Sequence, residues 1–364
     1  MTAVNGKEMA ASAEAGAGRE SNAAEKLRPI GKVSVGIVAL NEETALPGLL
    51  GDVLAQDFPH DRIELLLADS GSSDGTRGIM QRFAEEHGAD FARIVVLDNP
   101  GRIAAAGINV CLGEYTGDAF VRIDAHATIP ETFISACVAV LDEGENVVAG
   151  PRPTMAFPET DWTCALLVAE ESAFGSSVAD YRFRAESTYV DSAFHAMMRR
   201  CVIDAVGLYD ERLPRTEDND YFYRIRTAGF RIRFDGRIFS RQHARASLRR
   251  MAKQKYGNGY WVGRTLFIQP KCLKAYHFAP FVFVLGILAM ILVGAIVSWI
   301  PFLACAVAYL AICVLLAIRA AVQSPKRSVA FCALPLVFFT IHVTYGAGTC
   351  VGLMRGLIGK FRGR

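Results

Sequence analysis

Between Val33 and about Gly150, short apolar runs alternate with segments whose Leu, Ile, Phe and Ala recur at helical spacing. The runs Val33–Leu40, Ile63–Asp69, Phe91–Asp98, Ala119–Asp124 and Asn146–Ala149 are nearly continuous in apolar residues. That is the pattern of strands buried on both faces. Between them, Thr44–Ala55, Thr76–His87, Ile103–Leu112 and Pro130–Leu141 predict helices. Such alternation predicts an α/β fold with a doubly wound, mostly parallel sheet. After Asp161 the pattern is less regular. It predicts a helix over Trp162–Phe174, a strand containing Tyr189–Met198, a helix starting near Glu217 and another over Ser247–Trp261.

A different pattern begins at Phe278. Phe278–Ile300, Phe302–Ile318 and Val329–Met354 are apolar and free of Asp, Glu, Lys and Arg. Each is near the roughly 20 residues a helix needs to cross a bilayer. Lys271, Lys274, Arg319, Lys326 and Arg327 flank the first two runs on one side. The positive-inside rule puts that side, and the large domain before it, in the cytoplasm. A third full span would carry Arg355, Lys360, Arg362 and Arg364 to the opposite side, against the same rule. Gly346, Gly348 and Gly352 interrupt the last run, so a re-entrant or split segment competes with a full span. The expected organisation is a disordered tail over 1–28, a domain over 29–265 with halves at 29–150 and 151–265, transmembrane helices over 278–354 and a basic tail over 355–364. Residues 1–28 are rich in Ala, Gly and Glu and lack the apolar core of a secretory signal.

Charge and cysteine usage remove several classes. The chain has 39 basic and 37 acidic residues, so no global basic field points to nucleic acid. Nine scattered cysteines contain no C-x-x-C pair, which leaves zinc-ribbon and thioredoxin readings unsupported. Their number and apolar neighbours suit reduced, buried thiols in a cytosol-facing protein. No G-x-G-x-x-G follows the first run, which disfavours a dehydrogenase. No Lys-containing triphosphate loop lies there either, which disfavours a nucleotidyltransferase.

Candidate chemistry gathers where strands end. In open α/β sheets, ligands bind outside the carboxyl ends of the strands. Asp124-Ala125-His126 closes the fourth run. A carboxylate and an imidazole one residue apart can hold a divalent metal, and through it a diphosphate. A chance pair in a loop, or an Asp capping the helix at Pro130, is the alternative. The second run ends on Asp69 and opens into Ser70-Gly71-Ser72-Ser73-Asp74-Gly75-Thr76. Asp74 is a predicted N-cap. Asp69 has no such duty and is placed to accept a hydrogen bond from a base or ribose.

Several motifs in order resemble one family. Val33–Glu43, ending in Asn41-Glu42-Glu43, and Asp69–Thr76 resemble the opening of family-2 glycosyltransferases with the GT-A fold. Asn99-Pro100-Gly101 with Ala104–Asn109 resembles the segment before that family's metal motif. Asp124-Ala125-His126 falls where the family carries D-x-D, and Thr216–Asp220 resembles its E-D element. Gln254-Lys255-Tyr256-Gly257 resembles, in shortened form, the Q-x-x-x-Y-G-like segment of membrane-bound members. The similarity spans roughly Val33 to Trp261. With the trailing apolar runs, it is greatest to bacterial exopolysaccharide glucosyltransferases of the succinoglycan type.

The resemblance implies an inverting hexosyltransferase at the bacterial inner membrane with its catalytic domain in the cytoplasm. It implies a UDP-sugar donor, a divalent metal (Mn or Mg), a polyprenyl-diphosphate-linked saccharide as acceptor, and room for other pathway membrane proteins as partners. Asp124 and His126 become metal ligands. His126 stands where the family has a carboxylate, so one charge is lost and metal affinity gains pH dependence. Asp218, with Glu217 beside it, becomes the general base, against the alternative that acidic residues merely favour a helix's first turn. Asn41, Glu42, Asp69, Arg102 and Asp124 would line the donor pocket. Asp191 would face the acceptor or cap a loop. Arg241, His243 and Arg245 would meet a diphosphate or form a solvated charge run. Gln254, Tyr256 and Trp261 would line an acceptor groove or anchor the membrane interface. Rival readings are a processive polysaccharide synthase, which needs more spans, and a scaffold with a degenerate catalytic domain.

Overall fold

A computed structural model of the chain describes residues 28–156, 158–172, 174–175, 187–243, 247–323 and 328–362. The expected tail over 1–28 therefore lies almost wholly outside the described residues, as do Arg245, Lys326, Arg327 and Arg364. The first half alternates as expected: β1 (Val33–Ala39), α1 (Leu46–Leu54), β2 (Ile63–Asp69), α2 (Thr76–His87), β3 (Arg93–Asp98), α3 (Ala104–Glu114), β4 (Ala119–Asp124). A short β5 (Ala127–Thr128), α4 (Phe133–Asp142), β6 (Val147–Ala149), β7 (Thr154–Met155) and α5 (Asp161–Glu171) follow. Next come β8 (Thr188–Val190), β9 (Met197–Arg199), α6 (Arg200–Val206), α7 (Glu217–Thr227), β10 (Ile232–Phe234), β11 (Arg241–His243) and α8 (Leu248–Thr265).

Eight strands form one sheet in the order β3-β2-β1-β4-β9-β6-β10-β8. β1, β2, β3 and β4 are parallel, β9 is antiparallel to β4 and β6, and β8 is antiparallel to β10. The sheet is thus mixed and mostly parallel. The single strand expected over Tyr189–Met198 is two strands, β8 at the sheet's edge and β9 at its centre. Sequence periodicity cannot separate two short strands that lie far apart in one sheet.

Side chains of β4 alternate between two cores. Val121 and Ile123 join α1, α2 and α4, whereas Phe120 joins α3, α6 and α7. All seven residues of β2 are buried. Each fully buried Val, Leu or Ile contributes about 1.5–3 kcal/mol, so this central layer holds the strand ends still.

α9 (Ala279–Ile296), α10 (Ile300–Gln323) and α11 (Leu334–Phe361) close the chain. All three lie in segments long and apolar enough to cross a membrane. α11 runs unbroken through Gly346, Gly348 and Gly352, so the helix is not split at these glycines. Those glycines lie against neighbouring backbones, and that packing offsets the roughly 1 kcal/mol each costs a helix. All nine cysteines are free, but only Cys111, Cys137, Cys272 and Cys313 are buried.

Candidate active site

The carboxyl end of β4 meets the N-terminus of α7. Arg122 and Asp124 share a face of β4 because side chains alternate along a strand. Arg122 Nη2 donates to Asp124 Oδ1 at 3.0 Å and Nη1 donates to Asp218 Oδ1 at 2.9 Å. Nη1 also lies 3.6 Å from Glu217 Oε1. One guanidinium therefore joins the expected metal ligand to the expected base, across 96 residues of chain. Charge-assisted bonds of this kind are worth roughly 1.5–3 kcal/mol each.

Asp124 is held from a second side. Arg152 Nη1 lies 3.6 Å from Oδ2. His195 Nε2 lies 3.5 Å from the same oxygen, and its Nδ1 lies 3.0 Å from Ser240 Oγ. Burial pushes the Asp124 carboxyl up, but Arg122, His195 and Arg152 outweigh it and hold it well below the usual range. Burial pushes His195 down, against Asp124, which favours its neutral form. Arg122, Asp124, Phe194, His195, Tyr209 and Asp218 line one small cavity.

Glu217 and Asp218 open α7, where the helix dipole favours negative charge. Thr216 occupies the N-cap position of α7 without a side-chain cap bond. Its Oγ1 bonds Thr265 Oγ1 at 2.6 Å and so ties α7 to α8. Glu217 is buried, with Oε2 unpartnered among the described residues. Burial first, then the charge of Asp218, push its carboxyl up to about 8, against the pull of Arg122. Of the two neighbours, burial favours the protonated form of Glu217, while Asp218 makes the closer contact with Arg122, at 2.9 Å.

A raised folded pKa means the native state binds a proton that the unfolded chain releases. Stability from Glu217 is full below its unfolded value near 4.5 and is lost as pH rises toward about 8. Wild-type protein should therefore lose up to roughly 1.4 kcal/mol per pH unit across that window from this group alone. Glu217→Gln should flatten the decline, read as melting temperature against pH in detergent. An unchanged slope would overturn the assignment.

The donor-side loops are built on strained turns. Asn41 (φ 57°), Gly71 (φ 74°), Arg102 (φ 56°) and His195 (φ 47°) all adopt left-handed backbone. Asn and Gly do so readily, whereas Arg102 carries strain of roughly 1–2 kcal/mol. Arg102 Nη2 donates to Gly71 O at 2.9 Å, joining the loops after β2 and β3. Asn41 Oδ1 accepts from Ser73 N at 2.8 Å. Asp69 does have a structural duty, contrary to expectation. Its buried carboxylate accepts from Ser72 N at 3.2 Å, because the tight turn after β2 leaves that N–H without a backbone partner, and Arg77 lies 3.7 Å away. Asp74 Oδ1 accepts from Thr76 N at 3.0 Å at the start of α2, although Gly75 occupies the cap position.

His126 lies between Glu42 and a residue not anticipated. Its Nδ1 is 3.2 Å from Glu42 Oε1 and its Nε2 is 3.3 Å from Gln242 Nε2. β11 pairs with β5, directly after His126, and this register presents Gln242. Arg241 does not meet the site: its exposed guanidinium stacks over Phe239 at 5.1 Å. Asp191 is not brought there either. It pairs with Lys274 and lies 3.4 Å from Arg226 Nη1, at the entry to α9, and caps no loop among the described residues. Gln254, Tyr256 and Trp261 lie on α8, with Tyr256 exposed and Gln254 Oε1 buried and unpartnered among the described residues.

Among the described residues, no three His, Cys, Asp or Glu converge to cage an ion. Asp124 and His126 offer two donors. An oxygen and a nitrogen donor of this kind would suit Mg²⁺ or Mn²⁺ completed by other ligands.

Residues 34–207 match the family model for glycosyl transferase family 2. The chain is 32% identical over 226 residues to the succinoglycan biosynthesis protein ExoA of Rhizobium meliloti (strain 1021), covering 61% of this chain and 66% of that protein. It is 21% identical over 328 residues to a Methanococcus voltae dolichyl N-acetyl-alpha-D-glucosaminyl phosphate 3-beta-D-2,3-diacetamido-2,3-dideoxy-beta-D-glucuronosyltransferase, covering 89% and 98%. The fold matches the mannosyltransferase PcManGT from Pyrobaculum calidifontis, solved with GDP-Man and Mn²⁺, with TM-score 0.61, 17% identity and coverage of 91% and 89%.

Proposed function

Because residues 34–207 form a glycosyl transferase family 2 domain, we propose that this chain is a membrane-anchored, metal-dependent, inverting glycosyltransferase. In this reading it moves glucose from UDP-glucose onto a polyprenyl-diphosphate-linked saccharide at the cytoplasmic face, in exopolysaccharide biosynthesis. The observation that carries the reading is Arg122 binding Asp124 and Asp218 at 3.0 and 2.9 Å. In this reading the bridged pair are the nucleotide-side carboxylate and the base, and both line one cavity. The succinoglycan relative, the dolichyl-phosphate-linked relative and the GDP-Man and Mn²⁺ complex support the pathway, acceptor class and donor class respectively.

Asp218 takes the proton from the acceptor hydroxyl as that oxygen attacks the sugar's C1 from the face opposite the nucleotide. One displacement inverts the anomeric centre. Asn41, Glu42, Asp69 and Arg102 shape the pocket for base, ribose and phosphate. Asp124 and His126 would hold the metal, which when bound neutralises charge developing on the leaving diphosphate. The deciding experiment is a donor screen on membranes with Mn²⁺ or Mg²⁺ and a lipid-linked acceptor pool. Transfer of one sugar supports the reading, a polymer supports a processive synthase, and no turnover of any donor supports a scaffold.

His126→Asp tests the metal assignment. It restores a charge, so activation by Mn²⁺ should need the same or less metal. A metal titration left wholly unchanged by the substitution would assign His126 to another role.

A further inference from the structure

α11 differs from the two helices before it. Six per cent and 11% of the apolar windows at α9 and α10 are buried in the protein, against 33% at α11. Leu288, Leu292, Ile296, Leu303, Val307 and Leu315 are each more than half exposed, so the far part of the α9–α10 hairpin has no protein cover. α11 meets α9 near the latter's start, with Gly346 against Pro280 and Val284, and His342 beside Phe283. Beyond that crossing it runs along α8.

The seat on α8 is made by glycines. A Cβ on Gly259 would lie 2.0 Å from Tyr345 O, and one on Gly263 would lie 2.6 Å from Thr349 O. On the α11 side, a Cβ on Gly348 or Gly352 would lie 2.2 or 2.1 Å from the carbonyl oxygens of Tyr256 and Tyr260. These are two G-x-x-x-G faces in backbone contact. α8 is part of the catalytic domain, through Thr216–Thr265, Arg215–Asn258 and the Lys255–Glu170 ion pair. It also carries Arg249, Arg250, Lys253, Lys255 and Arg264. Five cations exclude α8 from hydrocarbon. A helix laid along it is excluded too.

We infer that α9 and α10 are the spanning helices, and that the Tyr345–Phe361 part of α11 is an interfacial helix on the catalytic side, resting on anionic lipid. This rests on the reading that α9 and α10 cross the bilayer. The outer edge of α11 exposes Met354, Leu357, Ile358 and Phe361 beside Arg355, Lys360 and Arg362. Apolar residues flanked by cations suit the boundary of an anionic leaflet. The arrangement also keeps these cations on the same side as Lys271 and Lys274, as the positive-inside rule requires.

The test uses full-length Ser298→Cys, in the α9–α10 turn, and Lys360→Cys. Intact cells are treated with a membrane-impermeant maleimide, and labelling is read by mass spectrometry at the introduced site. Ser298→Cys should label in intact cells and Lys360→Cys only after lysis. Labelling of both from outside would show a third span and overturn the inference. Labelling of neither would overturn it through the hairpin. A benzophenone amino acid at position 357 should cross-link to phosphatidylglycerol in vesicles. No lipid adduct, or an adduct to a second polypeptide, would overturn the lipid assignment.

Discussion

Asp218→Asn is expected to lower sugar transfer by roughly 10²–10⁴-fold while donor binding survives. The amide keeps the side chain's shape at the first turn of α7 but cannot take a proton. It also exchanges the 2.9 Å ion pair with Arg122 for a neutral contact. The residues proposed for the donor pocket are carried by other elements, Asn41 and Arg102 by the loops after β1 and β3 and Asp69 by the end of β2. Turnover with radiolabelled donor should collapse, while nucleotide-sugar affinity by calorimetry should stay within a few-fold. Full turnover by the variant would remove Asp218 as the base. Lost donor affinity would mean that it binds the nucleotide instead.

The second large effect falls on stability. Arg122→Met should destabilise the domain by about 3–5 kcal/mol, because three carboxyl groups lose their shared cation in a largely buried site. Part of that cost is repulsion among the carboxylates left behind. Adding Asp218→Asn to Arg122→Met should therefore recover some of the loss, with a coupling energy of roughly 0.5–3 kcal/mol. Denaturant titration of the four proteins in one detergent checks this. Strict additivity would mean that Arg122 and Asp218 are not coupled in stability.

Arg122 stands out in the sequence as a lone charge inside an apolar run. An Arg at the centre of a strand buried on both faces needs a partner, and Asp124 two residues on shares its face. The signal is ambiguous by itself. Glu64 is equally a charge within a central strand, yet Thr116 and Arg93 satisfy it away from the site. His195 carried a similar signal, an imidazole in the run Ala193–Met198. Gln242 carried none. Its place beside His126 arises from the pairing of two short strands more than 100 residues apart.

Local periodicity determined most of the elements. β2, α2 and β4 begin and end where the apolar pattern predicts, because burial on one or both faces dictates residue type along each segment. The ordered motifs likewise pointed to the family whose model residues 34–207 match, since each is short and local. What joins those motifs was decided only in three dimensions. Arg122 is a bridge because β4 lies beside the N-terminus of α7, and Asp69 is a turn cap because Ser72 folds back onto it. The last apolar run meets the length and composition of a span, yet its glycines fit the backbone of α8. Hydropathy measures what a helix can be buried in. Whether lipid or protein covers it depends on which surface the rest of the chain brings alongside.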